Sequence, residues 1–383
     1  MDSLVDKYNL KFLFIGGAPR SGTTLLVNLL DSHPELICFP TEHSTIEKYF
    51  WNKENLKEYF LNDFIKKRRE GQQTILASKE FLEDYSLKIK REYYKDHLLD
   101  IDTSAFQSAY LNFLKTKQIE LKEILFALCE GLLHSNSYSK SKLSTAKYIV
   151  FKQPYFTDLF AKEVSQILPD CKFINVRRDP IARYASAKKR RLAKSILKNK
   201  TYPHINGVNF VRAHSEVDIS TFYLSERNKI NLGSEIYTIV KYEEIIKNPE
   251  KEFLHLFKWL NLSVSPSYKT PTILGNKVLA GSAFVENEGI DKNATDRMKE
   301  YFKITSWNER ILHKYYLGMG NLNNEGTNFL LAFLSYLLPF KHEPLNHFIY
   351  KYIKIYEFFY SKNIITRLEK GVENKKLNIS GAI

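Results

Sequence analysis

The sequence predicts a three-layer α/β/α fold built on a central parallel sheet. Short apolar runs rich in β-branched residues recur along the chain: "FLFI" at 12–15, "YIVF" at 148–151, "KFINV" at 172–176 and "IYTIV" at 236–240. Helical patterns separate them, the alternation expected when helical crossovers join parallel strands. The runs also lack an in/out polar alternation, as strands covered on both faces do. A hydrophobic content of 44% against 26% charged residues places the 383-residue chain among globular rather than disordered proteins.

The elements follow in order. The first strand, 12–16, leads through "GGAPRSGTT" into a helix at 23–32. "ELICF", 35–39, reads as a second short strand. Residues 45–145 are rich in Lys, Glu, Leu and Tyr with a mostly helical pattern, a large helical insertion. The helix after "FINVRRDP" carries "KKRR" at 188–191, which reads as a solvated basic face or as the widened mouth of a site. In "NPEKEFLHLFKWL", Asn248 is expected to cap, Pro249 suits the first helical position, and Phe253, Leu256, Phe257 and Leu260 form one apolar stripe. In "SWNERILHKYYLG", Ser306 and Glu309 spell a capping box, and Gly318 is expected to end the helix. The tail carries "FLLAFLSYLLPF" at 329–340 and "FIYKYIKIYEFFY" at 348–360, both read as helices. The expected organisation is one α/β domain over 1–324 and a C-terminal helical extension over 325–383.

The 57 basic and 43 acidic residues give a formal charge of +14 and an isoelectric point near 9.3. Such an excess favours anionic partners: nucleotides, nucleic acid, acidic glycans or membrane surfaces. No single-strand or duplex recognition motif accompanies it, so nucleic acid is not expected as a partner. Three scattered cysteines, Cys38, Cys129 and Cys171, argue against a disulfide framework and for a reducing, cytoplasmic setting. The N-terminal segment lacks the basic region and long apolar run of a secretory signal. The stretch 329–340 is too short to span a bilayer, which needs about 20 residues. With the lysine-punctuated aromatics of 348–360, it reads as helices packing onto the domain, the alternative being peripheral membrane contact through 329–360.

The chemistry concentrates in "GGAPRSGTTLL", 16–26. A glycine-rich turn between strand and helix aims backbone N–H groups inward, and the helix N-terminus completes an anion cradle, the P-loop arrangement. Gly22 allows close approach of a ligand. Ser21, Thr23 and Thr24 add hydroxyls, and Arg20 adds a full charge. Thr23, however, stands where a triphosphate-binding loop needs its lysine. A kinase or NTPase is therefore the weaker reading, as is a non-catalytic anion-binding relative, and an anion with a single 5′-phosphate fits better.

"GGAPRSGTTLLVNLLDSHPEL" resembles the 5′-phosphosulfate loop of sulfotransferases that use 3′-phosphoadenosine 5′-phosphosulfate (PAPS). It is most similar to the branch holding tyrosylprotein sulfotransferases and bacterial carbohydrate sulfotransferases. The resemblance implies a metal-independent transfer of sulfate from PAPS to a hydroxyl. "FINVRRDPIARYASAKKRR", 173–191, resembles the family's 3′-phosphate motif and implies that Arg178 and Ser186 hold that phosphate. "VFKQPY" implies that Lys152 faces the bridging oxygen of the phosphosulfate, and "IVKYEEIIKNPE" puts Tyr242 near the nucleotide. "FPTEHST" offers Glu42 as general base, with His43 second. Ser282, in "GSAF", matches a further nucleotide-contacting element. The acceptor expected is a carbohydrate or glycolipid hydroxyl.

Overall fold

A computed structural model describes residues 3–42, 44–51, 55–63, 101–197, 208–278, 290, 292–295, 302–319 and 329–338. His43, Ser282 and the segment 348–360 lie outside these residues. The described residues divide into two compact units. One takes its residues from Met1–Gly17, Thr23–Val176 and Asn228–Lys292, the other from Ala18–Gly22, Arg177–Arg227 and Asn293–Ile383.

The first unit holds a five-stranded parallel sheet of order β2-β3-β1-β4-β5. Its strands are β1 (Lys11–Gly17), β2 (Leu36–Glu42), β3 (Tyr148–Lys152), β4 (Lys172–Arg177) and β5 (Tyr237–Lys241). Each apolar run of the sequence is one of these strands. One aromatic side chain from each strand joins a stacked row in strand order: Phe39–Phe151 at 5.1 Å, Phe151–Phe14 at 6.2 Å, Phe14–Phe173 at 5.5 Å and Phe173–Tyr237 at 6.1 Å. Register produces the row, since Phe14 lies opposite Phe151 on one side and Phe173 on the other. Helix α1 (Thr23–Leu30) follows β1 and buries Leu26, Leu29 and Leu30 completely.

β2 runs three residues beyond the end expected for it. Pro40 lies within it, which is tolerated because β2 is an edge strand and needs fewer ladder donors. The register shifts between Cys38 and Glu42, and the irregularity sets Glu42 opposite Lys152. Bulges of this kind re-aim side chains. The insertion is helical where described, at Thr45–Trp51, Thr103–Lys115, Leu121–Ser135 and Ser137–Ser141.

The second unit packs α2 (Pro180–Leu197) and the first part of α3 (Val208–Leu232) in one core with α6 (Trp307–Met319) and α7 (Phe329–Leu337). Between these in sequence, α4 (Tyr242–Lys247) and α5 (Pro249–Leu260) follow β5. The apolar stripe of α5 is buried as expected. Asn248 occupies the cap position without capping: its amide donates to Glu244 Oε2 at 2.9 Å instead. Ser306 and Glu309 do form the capping box, with bonds of 2.9 and 3.3 Å in the two directions. Gly318 does not stop α6, which runs on to Met319. Lys188 corrects the reading of "KKRR" as solvated or site-lining: it is fully buried, with Nζ 2.5 Å from Glu309 Oε1.

Candidate active site

Two groups of side chains gather the residues singled out by the sequence, one in each unit. In the first, the C-terminal ends of parallel strands supply the parts, the edge at which open α/β sheets bind ligands. Lys152 ends β3 and is buried. Its Nζ donates to Thr24 Oγ1 at 2.8 Å and lies 3.5 Å from Glu42 Oε2. The Glu42 side chain is 37% exposed, so it is open to a reactant while Lys152 stays packed. Thr23 is buried at the start of α1. Tyr242, also buried, opens α4 directly after β5.

Asp158 joins this group without having been picked out of the sequence. It is fully buried on the short helix Phe156–Leu159. Its Oδ2 accepts from the Gly17 amide at 2.6 Å and its Oδ1 from the Tyr237 hydroxyl at 2.5 Å. The Asn228 side chain donates to its carbonyl at 2.7 Å. The one available signal was a lone acid in the apolar "YFTDLF".

In the second unit, residues 18–22 form a tight turn, closed by the Ser21 amide donating to the Ala18 carbonyl at 3.0 Å. Arg20 adopts a left-handed backbone, φ 75°, unusual for a residue with a side chain. Gly22 has φ 104°, which favours glycine. Arg20 belongs to this turn, and two further arginines, Arg178 and Arg183, bond its carbonyls. Arg178 Nη1 donates to the Arg20 carbonyl at 3.1 Å. Arg20 Nη2 reaches Ser186 Oγ at 3.5 Å, so Arg20, Arg178 and Ser186 form one cluster. Arg183, almost wholly buried, donates to the Pro19 carbonyl at 3.2 Å and forms a two-pronged ion pair with Asp218.

Arg177, by contrast, is committed elsewhere. Both of its terminal nitrogens lie 2.9 Å from Glu226 Oε1, and its guanidinium covers the Phe222 ring at 4.3 Å. His214 accepts from Arg183 through Nδ1 at 3.1 Å, so its proton sits on Nε2. Burial, then the neighbouring Arg183 and His313, hold its pKa well below the ordinary imidazole value. Ser21 Oγ is buried and has no hydrogen-bond partner among the described residues. Within this unit the buried Ser21 hydroxyl, Arg20 and Arg178 are donors of the kind that suit phosphate or sulfate oxygens.

Comparison with known proteins places the chain in a family. A family model described as "Sulfotransferase family" matches residues 13–266. A stretch of 27 residues is 67% identical to "Protein-tyrosine sulfotransferase A" of Caenorhabditis elegans, spanning 7% of this chain and 7% of that relative. Among solved structures, the "Sulfotransferase Domain from the Curacin Biosynthetic Pathway" is 18% identical with a TM-score of 0.45, covering 76% of this chain and 90% of that one. The "Sulfotransferase Domain from the Synechococcus PCC 7002 Olefin Synthase" is 17% identical with a TM-score of 0.45, covering 76% and 87%. The family match spans the loop, Glu42, Lys152, Arg178, Ser186 and Tyr242, and on it the chain belongs to the sulfotransferase family.

Proposed function

We propose that the chain transfers a sulfuryl group from PAPS to a hydroxyl of a carbohydrate or glycolipid acceptor, without a metal ion. The observation that carries this reading is Lys152, a buried ammonium at a strand end between Thr24 of the anion loop and Glu42. PAPS supplies an activated sulfuryl group and leaves as 3′,5′-ADP. Glu42 takes the proton that the acceptor hydroxyl loses, a role requiring hydrogen-bond reach and solvent access. Lys152, with Arg20 and the loop amides, meets the negative charge that grows on the departing oxygen. Donors held in place before the reaction cost no reorganisation during it. Arg178 and Ser186 hold the 3′-phosphate, with Tyr242 and Ser282 as further nucleotide contacts. His43 is the second choice of base.

A lipid-linked acceptor is supported by α7 and its end, where Leu330, Leu331, Leu334 and Leu338 are 38–60% exposed while Ala332, Ser335 and Tyr336 face the core. With Ala332 and Tyr336 in the core and Phe333 and Leu337 packed beside them, the exposed leucines suit contact with a membrane surface, and a charge of +14 suits an anionic one. No helix among the described residues is long and apolar enough to cross a membrane. The test is isothermal titration of the purified chain with 3′,5′-ADP and with ATP, each with and without Mg²⁺. Metal-independent binding of 3′,5′-ADP with little for ATP is expected. Binding of ATP only with Mg²⁺ would replace this reading with a kinase or NTPase.

A further inference from the structure

Asp158 is a buried carboxylate with no part in the transfer described above, and its position invites an explanation. An acid beside the first residues of an anion loop repels the ligand, so on electrostatic grounds alone it is the wrong residue there. Its geometry supplies a reason. Gly17, where β1 passes into the loop, is held by two bonds from one short segment. Asp158 Oδ2 accepts from the Gly17 amide at 2.6 Å, and the Tyr155 amide donates to the Gly17 carbonyl at 2.8 Å. The same segment begins at Lys152 and includes Gln153, whose amide donates to the Ile15 carbonyl at 3.2 Å.

Two further features show how tightly this contact is built. Tyr155 is fully buried with φ 67°, a left-handed conformation costly for a side-chain-bearing residue and found mostly where the surroundings enforce it. Gly16 has no room for a side chain: a Cβ there would lie 2.6 Å from Asp158 Oδ2. The carboxylate has its own support, since the Tyr237 hydroxyl donates to Oδ1 from β5, at the end of the aromatic row.

We propose that Asp158 is a positioning residue, which latches Gly17, the last residue of β1, to the Lys152-bearing segment and so fixes the point from which the chain enters the anion loop. The proposal rests on the reading of that loop as a sulfate-donor site. The role is one of shape rather than charge, and this gives it a distinctive sign. In Asp158→Asn, the amide oxygen faces Gly17 while the NH₂ faces the Tyr237 oxygen, which accepts in place of donating. The latch survives and the repulsive charge is gone. In Asp158→Ala the latch is lost.

Three chains are titrated with 3′,5′-ADP: wild type, Asp158→Asn and Asp158→Ala. Hydrogen exchange is followed on the peptide containing Gly17. The Asn variant is expected to bind as tightly as wild type or tighter. The Ala variant is expected to bind about tenfold or more weakly, since displacements of about 1 Å in such sites cost about 10²-fold in rate, and to exchange faster at Gly17. Gly16→Ala displaces the carboxylate without removing it and takes the place of Asp158→Ala should that variant not fold. Equal binding by the Ala and wild-type chains, or equal weakening by Asn and Ala, would overturn the proposal. Should wild type itself not bind 3′,5′-ADP, the donor-site reading fails, and unchanged Gly17 exchange in the Ala variant would separately refute the latch.

Discussion

Lys152 and Arg178 carry different tasks, and single substitutions separate them. Lys152 meets charge that exists only as the bond breaks, so Lys152→Ala should leave 3′,5′-ADP affinity within about threefold and lower turnover by about 10²–10³. Arg178 holds a phosphate present throughout, so Arg178→Ala should weaken 3′,5′-ADP binding by about 10- to 100-fold, the worth of a charged hydrogen bond. Titration calorimetry and labelled-sulfate transfer read the two effects, and an exchange of outcomes would reverse the assignment. Arg177 is the internal control, because its guanidinium is held by Glu226. The partner that commits Arg177 lies 49 residues on. The loop residues were legible because strand, glycines, hydroxyls and helix follow one another in sequence. Asp158 was not, because its partners Gly17 and Tyr237 are 141 and 79 residues away.

Elements were legible wherever the determinant is local. Period and composition located the five strands, and the capping box located the start of α6. Failures arose where a side-chain partner outside the expected pattern intervened, four residues away for Asn248 and far along the chain for Lys188. Asn248 was drawn to Glu244 instead of the helix amides. The polar pattern of "KKRR" suggested solvent, yet Lys188 meets Glu309, 121 residues later. Glu309 thereby performs two tasks, capping α6 through Oε2 and receiving Lys188 and the Tyr184 hydroxyl, each at 2.5 Å, through Oε1. Removing one partner of such a buried pair strands the other charge, which costs about 3–5 kcal/mol. Glu309→Ala should therefore lower the urea midpoint strongly. Glu309→Gln, which keeps the acceptor oxygen, should lower it less. Equal small shifts would mean that the pair does not hold α2 to α6.

For the whole molecule, two groups tie stability to pH in the same direction. Burial pushes the Glu35 carboxyl up, but Lys147 at 2.7 Å and the Ser263 amide outweigh it and hold the pKa at about 2, below its ordinary 4.5. Its contribution is complete above pH 4.5 and is lost as pH falls through about 2. His214 is held neutral, whereas the unfolded chain takes up a proton there below about pH 6.5. Stability should thus decline from about pH 6.5 downward, with a slope of up to about 1.4 kcal/mol per pH unit from His214 alone. His214→Asn, which keeps an acceptor for Arg183, should flatten that decline in denaturant titrations across pH. An unchanged slope would remove His214 as its source.

The strand order also sets a schedule for biosynthesis. β1 and β2 are the first strands to leave the ribosome, yet they do not pair with each other, because β3 lies between them. The register partners of β1 begin at Tyr148 and Lys172, and those of β2 at Tyr148. Until that point in translation, both apolar strands lack the neighbours that complete their ladders, and unpaired strand edges of this kind are where nascent chains aggregate. A chain released before Tyr148 would present two sticky edges and no sheet, whereas one carried past Lys152 can join β2, β3 and β1 in a single step, and one carried past Arg177 can flank β1 on both sides.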